Sequence, residues 1–228
     1  HRTTCMTLRA SSSPTVLFDL DGTLADTAPD LAYALNRTLE QYGQPTLPYA
    51  KIRPVASFGS VALIRLGFGL DRDEPGFAER QGFLLDVYSA NLCRETSLFD
   101  GMSTVLETLR DRGTPWGIVT NKPRWLTEPL IDAMGLGLLT RCIVSGDTCA
   151  QRKPHPQPIL HACGLLGSDP ADTWYVGDAG RDVQAGRAAG CTTVGALYGY
   201  LHPDDPPEAW LADYTIDRPE QLLALLER

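Results

Sequence analysis

No apolar run in this sequence of 228 residues approaches the ~20 residues that a bilayer-spanning helix requires, which argues against a transmembrane protein. The opening HRTTCMTLRASSS has no apolar centre to serve as a signal peptide, so residues 1–13 are expected to be a loose tail, either a processed end or an expression remnant. Positive charge is scarce: 20 Lys and Arg stand against 28 Asp and Glu, a formal charge of -8. That balance argues against broad nucleic-acid or anionic-membrane binding. Cys-x-x-Cys pairs are absent. The six cysteines, Cys5, Cys93, Cys142, Cys149, Cys163 and Cys191, are scattered, as expected of a reducing compartment, and a cytoplasmic location is the expectation. Cys142, Cys149, His155 and Cys163 lack the paired spacing of zinc modules. There is no G-x-x-x-x-G-K-[ST] and no G-x-G-x-x-G after a strand, so a bound nucleotide is not indicated.

What is present is a chain 43% hydrophobic, long enough for a sizeable core. Short apolar runs end in polar or glycine residues: TVLFD (15–19), WGIVT (116–120), RCIVSGD (141–147), TWYVGD (173–178) and TTVGA (192–196). They read as buried strands. Helical spacings lie between them, at Met102, Val105, Leu106 and Leu109, then Leu126, Leu130 and Met134, then Ile159, Leu160 and Cys163. Alternation of this kind predicts an α/β fold with a parallel sheet. Residues 28–96 break it, with helical patterning and no convincing buried strand. They read as an inserted helical domain, leaving 14–27 and 97–228 as the core. The first inserted helix is expected to begin with Thr27 as cap and Asp30 three residues on. A second is expected over 60–66 and a third over 77–92.

The stretch FDLDGTLADT sets Asp19 and Asp21 one residue apart at the end of an apolar run. Side chains two apart in an extended chain share a side, and neighbouring carboxylates repel unless a cation or proton intervenes. Ligands bind beyond the carboxyl ends of the strands in such sheets, where Asp19, Thr120 and Asp178 fall. Asp182 follows Asp178 by one helical turn. Oxygen ligands with no His or Cys nearby point to Mg²⁺. The Thr120 hydroxyl and Lys153 would add a donor and positive charge for a phosphate.

FDLDGTLADT, VTNKP (119–123), KPHP (153–156) and VGDAGRDVQAGRAAG (176–190), in this order, resemble the four motifs of haloacid-dehalogenase-superfamily phosphatases. The wording ADT and TNKP is similar to the phosphoglycolate phosphatase branch. The resemblance implies a Rossmann-like core with a mobile helical cap over 28–96, and a Mg²⁺-dependent phosphomonoester hydrolase. It implies Asp19 as the nucleophile that forms an aspartyl-phosphate, and Asp21 as general acid and then base. Mg²⁺ would be held by Asp19, the Asp21 backbone carbonyl and Asp178, with Asp182 in support. Thr120, the Asn121 backbone N–H and Lys153 would hold the transferring oxygens. Caps set specificity in this superfamily, and Arg53, Ser57 and Gly59 of the loop IRPVASFGS (52–60) are the candidates to face the substrate. Phosphoglycolate is the first candidate substrate. N-acetylmuramic acid 6-phosphate is the alternative, because YGYLHPDDPPEAWLAD (198–213) looks like a segment of phosphatases acting on it; another sugar phosphate or a phosphomutase reaction is a further alternative. The expected partner is a small phosphorylated metabolite, for a monomer or homodimer.

Overall fold

A computed structural model describes residues 14–228; the tail expectation and Cys5 lie outside the described residues. The run TVLF forms β1 (Thr15–Phe18), whose four residues are all buried. A strand covered on both faces has no solvent side, so it reads as an unbroken apolar run. Around it lie β4 (Trp116–Val119), β5 (Ile143–Val144), β6 (Thr173–Gly177), β7 (Thr192–Ala196) and β8 (Tyr214–Ile216). They form one sheet in the order β5-β4-β1-β6-β7-β8, and every pairing is parallel. The connecting helices are α5 (Met102–Asp111), α6 (Arg124–Ala133), α7 (Gln157–Leu166) and α8 (Gly180–Ala189), with α9 (Gln221–Leu225) at the end. The chain leaves β1 toward β4 and β5 and returns to β6 on its other side. That reversal makes the carboxyl ends of β4, β1 and β6 a crevice.

Between β2 (Ala25–Asp26) and β3 (Ser97–Leu98) the chain forms α1 (Ala28–Gln41), α2 (Tyr49–Ile52), a 3₁₀ turn (Arg53–Phe58), α3 (Gly59–Phe68) and α4 (Phe77–Ala90). Leu31, Leu35 and Leu39 line one face of α1 and pack with Leu63, Ile64, Leu84 and Tyr88 in a cluster that also takes in Leu126 and Tyr200 of the sheet region. Each such leucine contributes roughly 1.5–3 kcal/mol on burial. The chain crosses from the sheet region into these helices and back through two strands that pair with each other, Ala25 opposite Leu98 and Asp26 opposite Ser97.

α1 begins where expected, with Thr27 at the N-cap position, but the expected capping bonds are corrected here. The Thr27 side chain makes no capping bond; its hydroxyl donates to Asp21 Oδ1 at 2.6 Å. Asp30 does not reach back to Thr27 either. Its carboxylate accepts from the Glu95 and Thr96 N–H groups and from the Thr96 hydroxyl, at 2.7 to 3.0 Å, and so binds the returning crossing. The expected second and third inserted helices run longer and shorter, respectively, than read, as α3 and α4. The loop 52–60 is mostly a 3₁₀ turn. RCIVSGD contributes only two strand residues, and β8 was not anticipated. Among the described residues no helix is long and apolar enough to cross a membrane.

Candidate active site

Asp19, Thr120 and Asp178 directly follow β1, β4 and β6, and the pairing of those three strands brings them together. A cleft of about 1030 Å³ opens there, lined by Asp19, Asp21, Thr120, Asn121 and Lys153 from the sheet region and by Ser57, Gly59 and Tyr88 from the helices above. Carboxylate oxygens of Asp19, Asp178 and Asp182, all buried, lie within 4.8 Å of one another. Gly22 permits this closeness. Its φ is +84°, and a Cβ there would meet Asp178 Oδ2 at 2.1 Å, so neither backbone nor space admits a side chain.

Each acid of the opening pair has its own lysine. Asp19 Oδ1 accepts from Lys153 Nζ at 2.9 Å and from the Leu20 N–H at 2.8 Å, while its Oδ2 accepts from no described residue. Burial, then repulsion from Asp182, pushes the Asp19 carboxyl up to about 8 despite Lys153. Asp21 Oδ1 accepts from Lys122 Nζ at 2.8 Å as well as from Thr27. Burial would raise the Asp21 carboxyl, but Lys122, with the Thr27 hydroxyl and Arg181, leaves it lowered. The two acids are thus held apart in pKa, Asp19 raised and Asp21 lowered; Lys122 was not among the expected site residues. Lys122 stood inside the quoted TNKP; the available signal was a second lysine in a strand-end loop facing two acids. It also donates to Tyr88 Oη at 2.7 Å, tying that loop to α4.

Lys153 Nζ is buried and sits 2.7 Å from Asp182 Oδ1, 2.6 Å from Tyr175 Oη and 2.9 Å from the Val119 carbonyl as well as beside Asp19. Burial disfavours the ammonium, yet Asp182 and Asp19 overcome this and raise its pKa. Asp182 Oδ2 accepts from the Ala179 N–H at 3.2 Å, so both of its oxygens already have protein donors. Asp178 accepts from the Tyr200 N–H at 2.9 Å, from Ser57 Oγ at 3.1 Å and from Thr23 Oγ1 at 3.3 Å. Burial and then Asp182 push Asp178 up to about 6. The Asn121 side chain donates to the Lys153 carbonyl at 2.8 Å and accepts its N–H at 3.0 Å, which fixes the two loops together. Thr120 Oγ1 accepts the Lys122 N–H at 3.1 Å, leaving its own hydrogen free to point elsewhere.

A hard, divalent cation fits this cluster. All donors are oxygens, the carboxylates are buried, and burial with their mutual repulsion raises two of the pKa values. Of the three residues expected to face a substrate, Ser57 reaches the Asp21 carbonyl at 3.3 Å besides Asp178, and Gly59 lines the cleft. Arg53 is placed differently. Its guanidinium donates to the Gly199 and Tyr198 carbonyls at 3.1 and 3.2 Å and lies over the Tyr200 ring, and it is not part of the cleft lining. Arg181, unremarked in the sequence, does line it. Among the described residues no metal-competent group includes Cys142, Cys149, His155 or Cys163.

The family model for haloacid dehalogenase-like hydrolases matches residues 16–196. A phosphoglycolate phosphatase of Xanthomonas campestris pv. campestris is 42% identical over 211 residues, covering 91% of this chain and 93% of that protein. An N-acetylmuramic acid 6-phosphate phosphatase of Pseudomonas aeruginosa is 38% identical over 213 residues, covering 93% and 94%. Among solved structures, a predicted phosphoglycolate phosphatase from Haemophilus somnus 129PT superposes with a TM-score of 0.83 at 29% identity, covering 93% of this chain and 97% of that one.

Proposed function

This chain belongs to the haloacid dehalogenase-like hydrolases, and from that premise we propose that it hydrolyses a small phosphomonoester with Mg²⁺ through an aspartyl-phosphate at Asp19. The observation that carries the reading is the Asp19 carboxylate itself. It lines the cleft with one oxygen free of donors, beside Lys153 and within reach of two further buried carboxylates. Asp19, Asp178 and the Asp21 carbonyl would hold the cation. When bound, it neutralises the charge between Asp19 and a phosphate dianion and favours the ionised nucleophile.

The chain's own residues then divide the work. Asp19 Oδ2 attacks phosphorus and forms a P–O bond as the ester P–O bond breaks. Asp21 gives its proton to the departing alkoxide, then takes one from the water that attacks the phosphorus and cleaves the bond to Asp19. The lowered pKa of Asp21 suits the second half of that cycle. An incoming dianion beside it favours the protonated form needed for the first. Thr120, the Asn121 N–H and Lys153 hold the transferring oxygens. Residues 28–96 form a cap on a core of 14–27 and 97–228, excluding water as it closes.

Phosphoglycolate is the first substrate proposed, from the relatives' names. A sugar phosphate such as N-acetylmuramic acid 6-phosphate is the second. The larger molecule would have room: about 1030 Å³ with Trp125, Tyr88 and Phe58 in the cleft wall is at the upper end of ligand pockets. A panel of metabolite phosphates, assayed for phosphate release with Mg²⁺, with Ca²⁺ and after chelation, tests the reading. Turnover of at least one ester with Mg²⁺, suppressed by about tenfold or more in Ca²⁺ or chelator, is expected. Undiminished turnover in chelator would contradict it.

A further inference from the structure

Two of the buried cations around the cleft already have carboxylate partners. Lys153 is paired with Asp19 and Asp182, and Lys122 with Asp21. Arg181 differs. It enters from the first turn of α8, three residues past Asp178, and lines the same cleft as Asp19 and Asp21. Its Nη2 donates to the Ser57 carbonyl, and the guanidinium lies 5.0 Å from the Phe58 ring centre. Its Nε is buried with no hydrogen-bond partner. Among the described residues Arg181 forms no ion pair, although Asp182, Asp19 and Asp178 are near enough to raise its pKa against the effect of burial.

A desolvated guanidinium with an unused N–H is costly, and buried donors are normally satisfied. An oxyanion arriving in the cleft would satisfy it. The phosphate end is built by Asp19, Thr120 and Lys153, whereas the polar and ring contacts of Arg181 are to Ser57 and Phe58 in the helical insertion. Arg181 therefore stands on the side where the alcohol portion of a phosphomonoester must lie. The esters named for two relatives share one chemical feature there: glycolate and N-acetylmuramic acid are both hydroxy acids, so each carries a carboxylate on the leaving alcohol. Arg pairs with carboxylates through two parallel hydrogen bonds, which reads identity as well as charge.

We propose that Arg181 binds a carboxylate on the leaving alcohol, making the substrate class phosphomonoesters of hydroxy acids. The inference rests on the phosphomonoesterase reading above. Two matched pairs test it, phosphoglycolate against ethyl phosphate and N-acetylmuramic acid 6-phosphate against N-acetylglucosamine 6-phosphate. kcat and KM are measured with Mg²⁺ for the wild type, Arg181→Gln and Arg181→Lys. The wild type should favour the acid member of at least one pair by about tenfold or more in kcat/KM. Arg181→Gln should bring that ratio close to one, chiefly by raising KM for the acid, and Arg181→Lys should keep part of it. A purely structural role would lower both members together and leave the ratio unchanged, which would overturn the inference. A wild-type ratio near one in both pairs would also overturn it, while leaving the hydrolase reading intact. If none of the four esters, nor p-nitrophenyl phosphate, is hydrolysed, the hydrolase reading falls and this inference with it. Should Arg181→Gln fail to fold, the Lys variant, which keeps the charge and loses the fork, still reports the ratio.

Discussion

Asp19 and Asp21 are separated by one residue and governed by different lysines, Lys153 at 2.9 Å and Lys122 at 2.8 Å. Removing either lysine should therefore act on one acid and not the other. With Lys122→Ala the group that lowers Asp21 most is lost, so its pKa rises. Because Asp21 must be ionised to take a proton from water, the acidic limb of the kcat–pH profile should move to higher pH. An unmoved limb would remove Asp21 from that step. The acids at the strand ends were legible because their positions depend on local pattern: an apolar run, then Asp. Lys122, Tyr88 and Arg181 were not, since what matters about them is a contact between segments far apart in the chain, such as Lys122 with Tyr88. Arg53 was misplaced for the same reason. A basic residue in a loop near a cleft reads as a ligand contact, and only the fold shows it spent on the carbonyls of 198 and 199.

Among the elements, the parallel strands were legible because both faces are buried and the runs are unbroken; the three-residue β8, flanked by Asp213 and Asp217, carries no such run. The capping bonds at the start of α1 misled for a physical reason. Thr and Asp at capping positions are free to bond elsewhere when tertiary structure offers better partners, and here Thr27 serves Asp21 and Asp30 serves the return crossing. Asp30 is 1% exposed. Asp30→Ala would leave the Glu95 and Thr96 N–H groups without their acceptor, which should cost about 1–3 kcal/mol. A lowered denaturation midpoint with faster amide exchange at 95–98 is the expected outcome. Protection equal to wild type would mean that the two crossing strands hold without it.

On the scale of the whole molecule, the four helices of the insertion meet the sheet region through a shared apolar cluster with Leu126 and Tyr200 and through polar links. They include Ser57 to Asp178, Arg181 to Ser57, Lys122 to Tyr88, and the Tyr200 hydroxyl, which accepts from the Ala28 N–H and donates to Asp26. Several of those links converge on the carboxylate cluster, so its charge state should be felt by overall stability. Asp19 and Asp178 are raised from 3.8 to about 8 and about 6. Between the unfolded value and these folded values the native state binds more protons than the unfolded state. Stability of the chelated protein should therefore fall as pH rises from about 4 to about 8. A divalent cation needs both groups ionised, so Mg²⁺ should raise Tm more at pH 8 than at pH 5. Equal Mg²⁺-induced shifts at the two pH values would contradict the assignment of these carboxylates to the cation.

Asp19 is the residue proposed to accept phosphorus. The most direct measurement is an acid quench of the protein with Mg²⁺ and its best phosphomonoester carrying radiolabelled phosphorus, followed by peptide mapping. Label on the peptide containing Asp19, absent from Asp19→Asn together with turnover, is the expected result. Turnover by Asp19→Asn within about tenfold of wild type, or label retained at another residue, would contradict it.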